Sequence, residues 1–241
     1  LGLPPAEAER AHLARAGRTF HDVRVMIALF SIVLVPLTFL LARRFLAPAS
    51  ALVATFFVAT SLLHLFFSDQ ARPHGAYATL AVATVLLAVH ARARGSIVLL
   101  LAAGACAGLS LGVLQTGVFV LPPIVIAAAL GGGTRRARAL RAFLALAVAL
   151  AVAYPFNDFL PVIDSHGITM SGKGGHAVRL SEINGGGFAI AWRSLWGQDP
   201  ALTVAGLLGL AWLAVAWWRT RPLATERRAD LLVVLAHAAP Y

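Results

Sequence analysis

Charge is scarce in this sequence: Asp, Glu, Lys and Arg together fill 12% of 241 positions, against about a quarter in soluble domains. A soluble chain of this length could not hide its many uninterrupted apolar runs, so that class is excluded. Period-two alternation is missing too, which removes a membrane β-barrel and leaves helices. Cysteine is reduced to Cys106, inside an apolar run, so no intrachain disulfide can form and the redox compartment stays open. Lysine is reduced to Lys173 beside 19 arginines, and the acids number 10 against 20 bases. The resulting net charge of +10 would suit nucleic acid in a soluble domain. Here the basic residues sit mostly in short connectors, where positive charge sets membrane orientation, so no nucleic-acid partner is expected. No charged n-region followed by a short apolar core stands at the start, so no signal peptide is read there. The chain opens on Leu1 and ends on a short apolar run from 231, and is read as a piece of a longer protein.

What is present is greasy: 59% of residues are hydrophobic and the mean hydropathy is +0.81. The apolar runs are 23–41, 48–67, 75–90, 96–114, 117–130, 142–156 and 201–218, with another beginning at 231. These predict an all-α, polytopic transmembrane helical bundle. The runs 75–90, 117–130 and 142–156 are short for a span of about 20 residues, and Pro122–Pro123 predicts a kink in the fifth. Arg43–Arg44, Arg92 and Arg94, the group Arg135 to Arg141, and the group Arg219 to Arg228 occupy every second connector, twelve of the 20 basic residues. Those connectors are expected on the cytoplasmic side. The expected organisation is an outer interfacial segment over 1–22, a six-span core over 23–156, an extracytoplasmic loop over 157–199, and one span with the start of another over 200–241. Gly104, Gly108 and Gly112, at four-residue spacing, predict close helix approach.

Polar residues concentrate on the side opposite the arginines. The turn "HLFFSDQARPHGAY" (64–77) holds Asp69, Arg72 and His74, and His64 and Ser68 share one helical face. Charged groups at the membrane's edge line a cavity or pathway, or form an interfacial Asp69–Arg72 ion pair with Tyr77 as an aromatic-belt residue. The loop after Phe156 carries the second cluster, including Lys173, His176 and Arg179. Its glycines let backbone N–H groups approach an anion. His166 and His176 are ten positions apart and match no tight metal motif, so no metal site is assigned. Trp192 and Trp196 read as interfacial anchors on one helical face.

The succession "FLLARRFLAPASALVATFFVATSLLHLFFSDQARPHGAYATL", then "GACAGLSLGVLQTGVFVLPPIV", then "YPFNDFLPVID" leading into "GKGGHAVRLSEINGGGFAIAWRSLWGQDPALTVAGLLGL" resembles the GT-C membrane glycosyltransferases of the protein O-mannosyltransferase and lipid A aminoarabinose transferase type. The resemblance spans roughly residues 18–218. It implies a GT-C-like bundle that moves a sugar from a polyprenyl-phosphate donor to a lipid, glycan or protein acceptor on the outer face. It further implies that Arg72 and His74, with Asp69, contact the donor phosphate or sugar, and that Lys173, His176 and Arg179 close over it. The family's leading acids lie in a first outer loop upstream of Leu1, so no catalytic base is assigned in this sequence. Gln115–Thr116 stands where relatives often carry a lysine after the Gly-rich helix. No cofactor is assigned, and dependence on a divalent cation is left open. The location implied is the inner (plasma) membrane of a bacterium, with the active side periplasmic or extracellular. The competing classes are a transporter or flippase subunit, which predicts ionisable residues at mid-membrane depth, and an O-antigen ligase or polymerase.

Overall fold

Large apolar side chains that a soluble protein would bury face outward: Leu29, Ile32, Phe56 and Phe143 are all exposed, whereas Ala51, Ala88, Ala103, Ala107, Ala145, Ala149 and Ala153 are fully buried. This inversion follows from the solvent. Lipid tails are as apolar as leucine, so membrane helices gain by bringing small residues together and leaving the large ones to lipid. The computed structural model describes residues 5–156, 161–164, 167–171, 177–179, 192–193, 196–197, 200–219 and 225–238. Its helices are α1 (Pro5–Ala42), α2 (Pro48–Thr60), α3 (Leu62–Ser68), α4 (His74–Arg94), α5 (Ile97–Val113), α6 (Leu121–Ala129), α7 (Arg135–Ala153), α8 (Pro200–Arg219) and α9 (Thr225–Ala238), with 3-10 turns over Gln115–Val120 and Tyr154–Phe156. Among the described residues, Gly17–Ala42, His74–Arg94 and Arg135–Phe156 are long and apolar enough to cross a membrane. The membrane bundle itself is all-α.

The helix boundaries have local causes. Gly95 ends α4 in the left-handed conformation at φ +64°, and Ser96 then caps α5 by accepting from Leu99 N at 3.4 Å. Thr134 caps α7 through Ala137 N at 3.2 Å. Three sequence expectations are corrected and one is met. The apolar run 48–67 is two helices, broken at Ser61 between α2 and α3. The short run 75–90 is part of a helix of 21 residues, and 142–156 belongs to the 19-residue α7 and the 3-10 turn that follows it, because Arg135 to Arg141 form the first two turns of α7 rather than a loose connector. The fifth run is indeed interrupted, by the 3-10 turn that leads into Pro122–Pro123. Finally, residues 5–22, expected as a segment distinct from the first span, are not separate from it. They continue into the first span as one helix of 38 residues, roughly 57 Å long at 1.5 Å per residue, about twice the hydrocarbon thickness.

Contacts between helices fix their directions. Thr79 Oγ1 donates to Phe30 O at 2.7 Å, and a Cβ on Gly75 would strike Ser31 Oγ at 2.6 Å. Helices α1 and α4 therefore run parallel with small residues between them. A Cβ on Gly104 would overlap the carbonyl oxygen of Ala145, one on Gly108 that of Ala149, and one on Gly112 the Phe156 ring at 2.8 Å. Along α5 and α7 these contacts advance together, so that pair is also parallel, and the expected close approach is made along three successive turns. At one end of the bundle, Asp230 of α9 is buried and accepts from Arg44 Nε at 2.8 Å and Arg92 Nε at 2.7 Å. Three of the arginine-rich connectors thus converge on one end. At the other end lie the 69–73 turn and Tyr154–Phe156, from which the 157–199 segment departs. That segment contains a three-stranded antiparallel sheet, β1 (Pro161–Asp164), β2 (Gly167–Ser171) and β3 (Ala177–Arg179), with Val162 opposite Thr169 and Thr169 opposite Arg179.

Candidate functional site

The site is built on the break at Ser61. Its backbone leaves the helical region (φ −57°, ψ 128°) and its hydroxyl accepts from His64 N at 3.3 Å, capping α3. Restarting the helix here changes the direction in which the last two turns of the second span point. Phe67 then meets the ring of His74 at the start of α4, centroids 4.6 Å apart and tilted by 51°. A cavity of about 200 Å³ opens behind this contact, lined chiefly by apolar groups but also by Ser61, His64 and His74. Two imidazoles therefore face one small apolar chamber. His64 on its own looks like an ordinary apolar-run histidine, and only the helix break turns it towards His74.

Asp69 is oriented from a distance. Arg24 of α1 donates through Nε to Asp69 O at 2.8 Å and through Nη2 to Asp69 Oδ2 at 3.0 Å, while its guanidinium lies 5.8 Å from the Phe20 ring centroid. The partner expected for Asp69 was Arg72, and the structure assigns Arg24 instead. Sequence reasoning passed over Arg24, although it is the one charged residue in the run 23–41, which was the available signal. Arg72 is exposed and makes no hydrogen bond or ion pair within the described residues. Tyr77, expected at the interface, is part-buried against the core instead.

On the outward side of α3 an open groove of about 640 Å³ is lined by Leu62, Leu65, Phe66, Asp69 and Gln70. Its walls are apolar and one end is polar. Gln70 Oε1 is buried there and has no hydrogen-bond partner among the described residues. An acceptor left open beside a carboxylate suits hydroxyl-bearing ligands, because an unmet buried acceptor otherwise costs about 1–3 kcal/mol.

The turn therefore divides its residues: His74 faces the inner chamber, Asp69 is held by Arg24 at the groove, and Arg72 faces outward. From the loop cluster, Arg179 falls in β3, while Lys173 and His176 lie outside the described residues. Among the described residues no three His, Cys, Asp or Glu side chains come together, and His166 and His176 lie outside that set. Trp192 and Trp196 stack with centroids 6.2 Å apart.

The family model for dolichyl-phosphate-mannose-protein mannosyltransferases matches residues 11–157. The match runs from α1 to the end of α7 and includes the whole 69–74 turn. Comparison with curated proteins and with solved structures finds no match.

Proposed function

The chain belongs to the dolichyl-phosphate-mannose-protein mannosyltransferase family and is thus a membrane glycosyltransferase of the mannosyltransferase type, and from that premise we propose that the 69–74 turn receives a polyprenyl-phosphate sugar. The polyprenyl chain lies along the apolar wall made by Leu62, Leu65 and Phe66, and the sugar meets Asp69 and Gln70 at the polar end. The phosphate is taken by Arg72, whose guanidinium has the bidentate geometry for phosphate oxygens. In the reaction the bond from the anomeric carbon to the phosphate oxygen breaks as a bond to the acceptor oxygen forms. The acceptor hydroxyl proton passes to a base, and the electron pair leaves with the lipid phosphate. Arg72 stabilises that departing charge, and His74, seated against Phe67 and facing the inner chamber, backs the turn that carries Asp69 and Arg72. Lys173, His176 and Arg179 close over the donor from the loop, which leaves the bundle at the same end as the turn. The acceptor is a protein, lipid or glycan hydroxyl on the extracytoplasmic face.

The observation that carries this reading is the groove, apolar along its walls and polar at Asp69 and Gln70, followed two residues later in the same turn by the exposed Arg72, which has no partner among the described residues. Removing a preorganised charge stabiliser lowers turnover by roughly 100-fold or more. Donor turnover by the full-length protein is therefore expected to fall by about that factor in Arg72→Ala and to recover in part in Arg72→Lys. Equal rates for all three proteins would remove Arg72 from the site.

A further inference from the structure

Arg135, Arg136, Arg138 and Arg141 lie where α6 gives way to α7, at the end of the bundle opposite the 69–74 turn. Among the described residues none of the four pairs with a carboxylate. Two are anchored by carbonyls: Arg138 Nη1 donates to Ala129 O at 2.7 Å and Arg141 Nη1 to Gly132 O at 3.0 Å. Arg138 Nε is buried and has no hydrogen-bond partner among the described residues. Beside it opens a cavity of about 380 Å³, lined by Val125, Ala129, Arg135, Arg138, Ala139 and Ala142. Leu130, Leu140, Phe143 and Leu144 of the same stretch are exposed, as on a surface that faces lipid. The positive end of the α7 dipole adds to the same sign of field.

An orientation signal requires only that these arginines stay on one side of the membrane. It explains neither a buried, unpartnered donor nor an apolar slot next to two cations. A small soluble anion would meet the cations and leave the slot wet. A zwitterionic lipid would carry its own ammonium group into a cluster of four guanidinium groups. We propose that the α6–α7 cleft binds an anionic phospholipid, its phosphate held by Arg135 and Arg138 and the start of one acyl chain lying against Val125, Ala139 and Ala142. Basic clefts between membrane helices have the charge and shape for such headgroups.

The test uses the full-length protein, delipidated in neutral detergent and titrated with phosphatidylglycerol, with phosphatidylcholine of the same chains, and with glycerol 3-phosphate. Native mass spectrometry reads the bound species. One phosphatidylglycerol per chain is expected, held about tenfold more tightly than phosphatidylcholine, with glycerol 3-phosphate failing to displace it. The double change Arg135→Gln with Arg138→Gln is expected to remove that tenfold preference, whereas Arg43→Gln with Arg94→Gln, at the same end, keeps it. Because Arg138 ties α7 to α6, Arg135→Glu decides the matter if the double variant fails to fold, since Arg135 bonds to no described residue. Equal binding of the two lipids, displacement by glycerol 3-phosphate, or unchanged phosphatidylglycerol binding in Arg135→Glu would each overturn the proposal.

Discussion

Two aspartates in this protein each meet arginine, and their surroundings give the pairs opposite weights. Asp69 is 83% exposed and Arg24 43% exposed, so water and salt screen the pair and its contribution is about 0–1 kcal/mol. Asp230 is 3% exposed and Arg92 8%, and removing one partner of such a pair leaves buried charge uncompensated, at a cost of about 3–5 kcal/mol. Asp230→Ala is accordingly expected to lower thermal stability in detergent far more than Asp69→Ala. A double-mutant cycle on Arg24 and Asp69 should return a coupling below about 1 kcal/mol. If Asp230→Ala melts with the parent protein, the buried clamp is not a stabilising feature. Arg24 stood out as a lone charge in its run, but neither pairing was legible in the sequence. Arg24 is 45 positions from Asp69, and Arg44 is 186 positions from Asp230, and residue spacing says nothing about contacts that only the helix packing creates.

At the level of elements, periodic features were readable and local breaks were not. The four-residue spacing of Gly104, Gly108 and Gly112 states a helix face directly, and the structure puts α7 against that face. Ser61 is different, because apolar residues continue on both sides of it and hydropathy does not register a hydroxyl that caps a new helix. The glycine face makes a sharp expectation. A Cβ at Gly108 would overlap the carbonyl oxygen of Ala149 and approach Val152 Cβ to 2.8 Å, whereas one at Gly132 meets nothing within 4 Å. Overpacking of this kind costs about 1–3 kcal/mol. Gly108→Val should therefore unfold at clearly lower temperature than the parent, with Gly132→Ala unchanged, as monitored by circular dichroism in detergent. Ser61→Ala should cost about 1 kcal/mol through loss of the α3 cap. Because that cap sets where His64 and Phe67 point, sugar transfer should fall beyond what the stability loss explains.

For the whole molecule, composition alone made the helical membrane bundle legible, since so little charge and such long apolar runs admit few other folds. The arrangement of its ends needed the arginines read together with the packing. Parallel α1 and α4, and parallel α5 and α7, put the 69–74 turn and the start of the 157–199 segment at one end, and the Asp230 clamp draws arginine-rich connectors to the other. The positive-inside rule then predicts that the arginine end is cytoplasmic. Cysteine labelling separates these two claims, because the chain's one native thiol can be removed as Cys106→Ser. In that background Arg72→Cys and Thr169→Cys should react with a membrane-impermeant maleimide on intact cells. Ala93→Cys and Gly132→Cys should react only after permeabilisation. Reversal of all four would invert the orientation yet keep the shared end. Labelling of positions 72 and 169 from opposite sides would separate the turn from the loop, and a donor could not then be gripped by both.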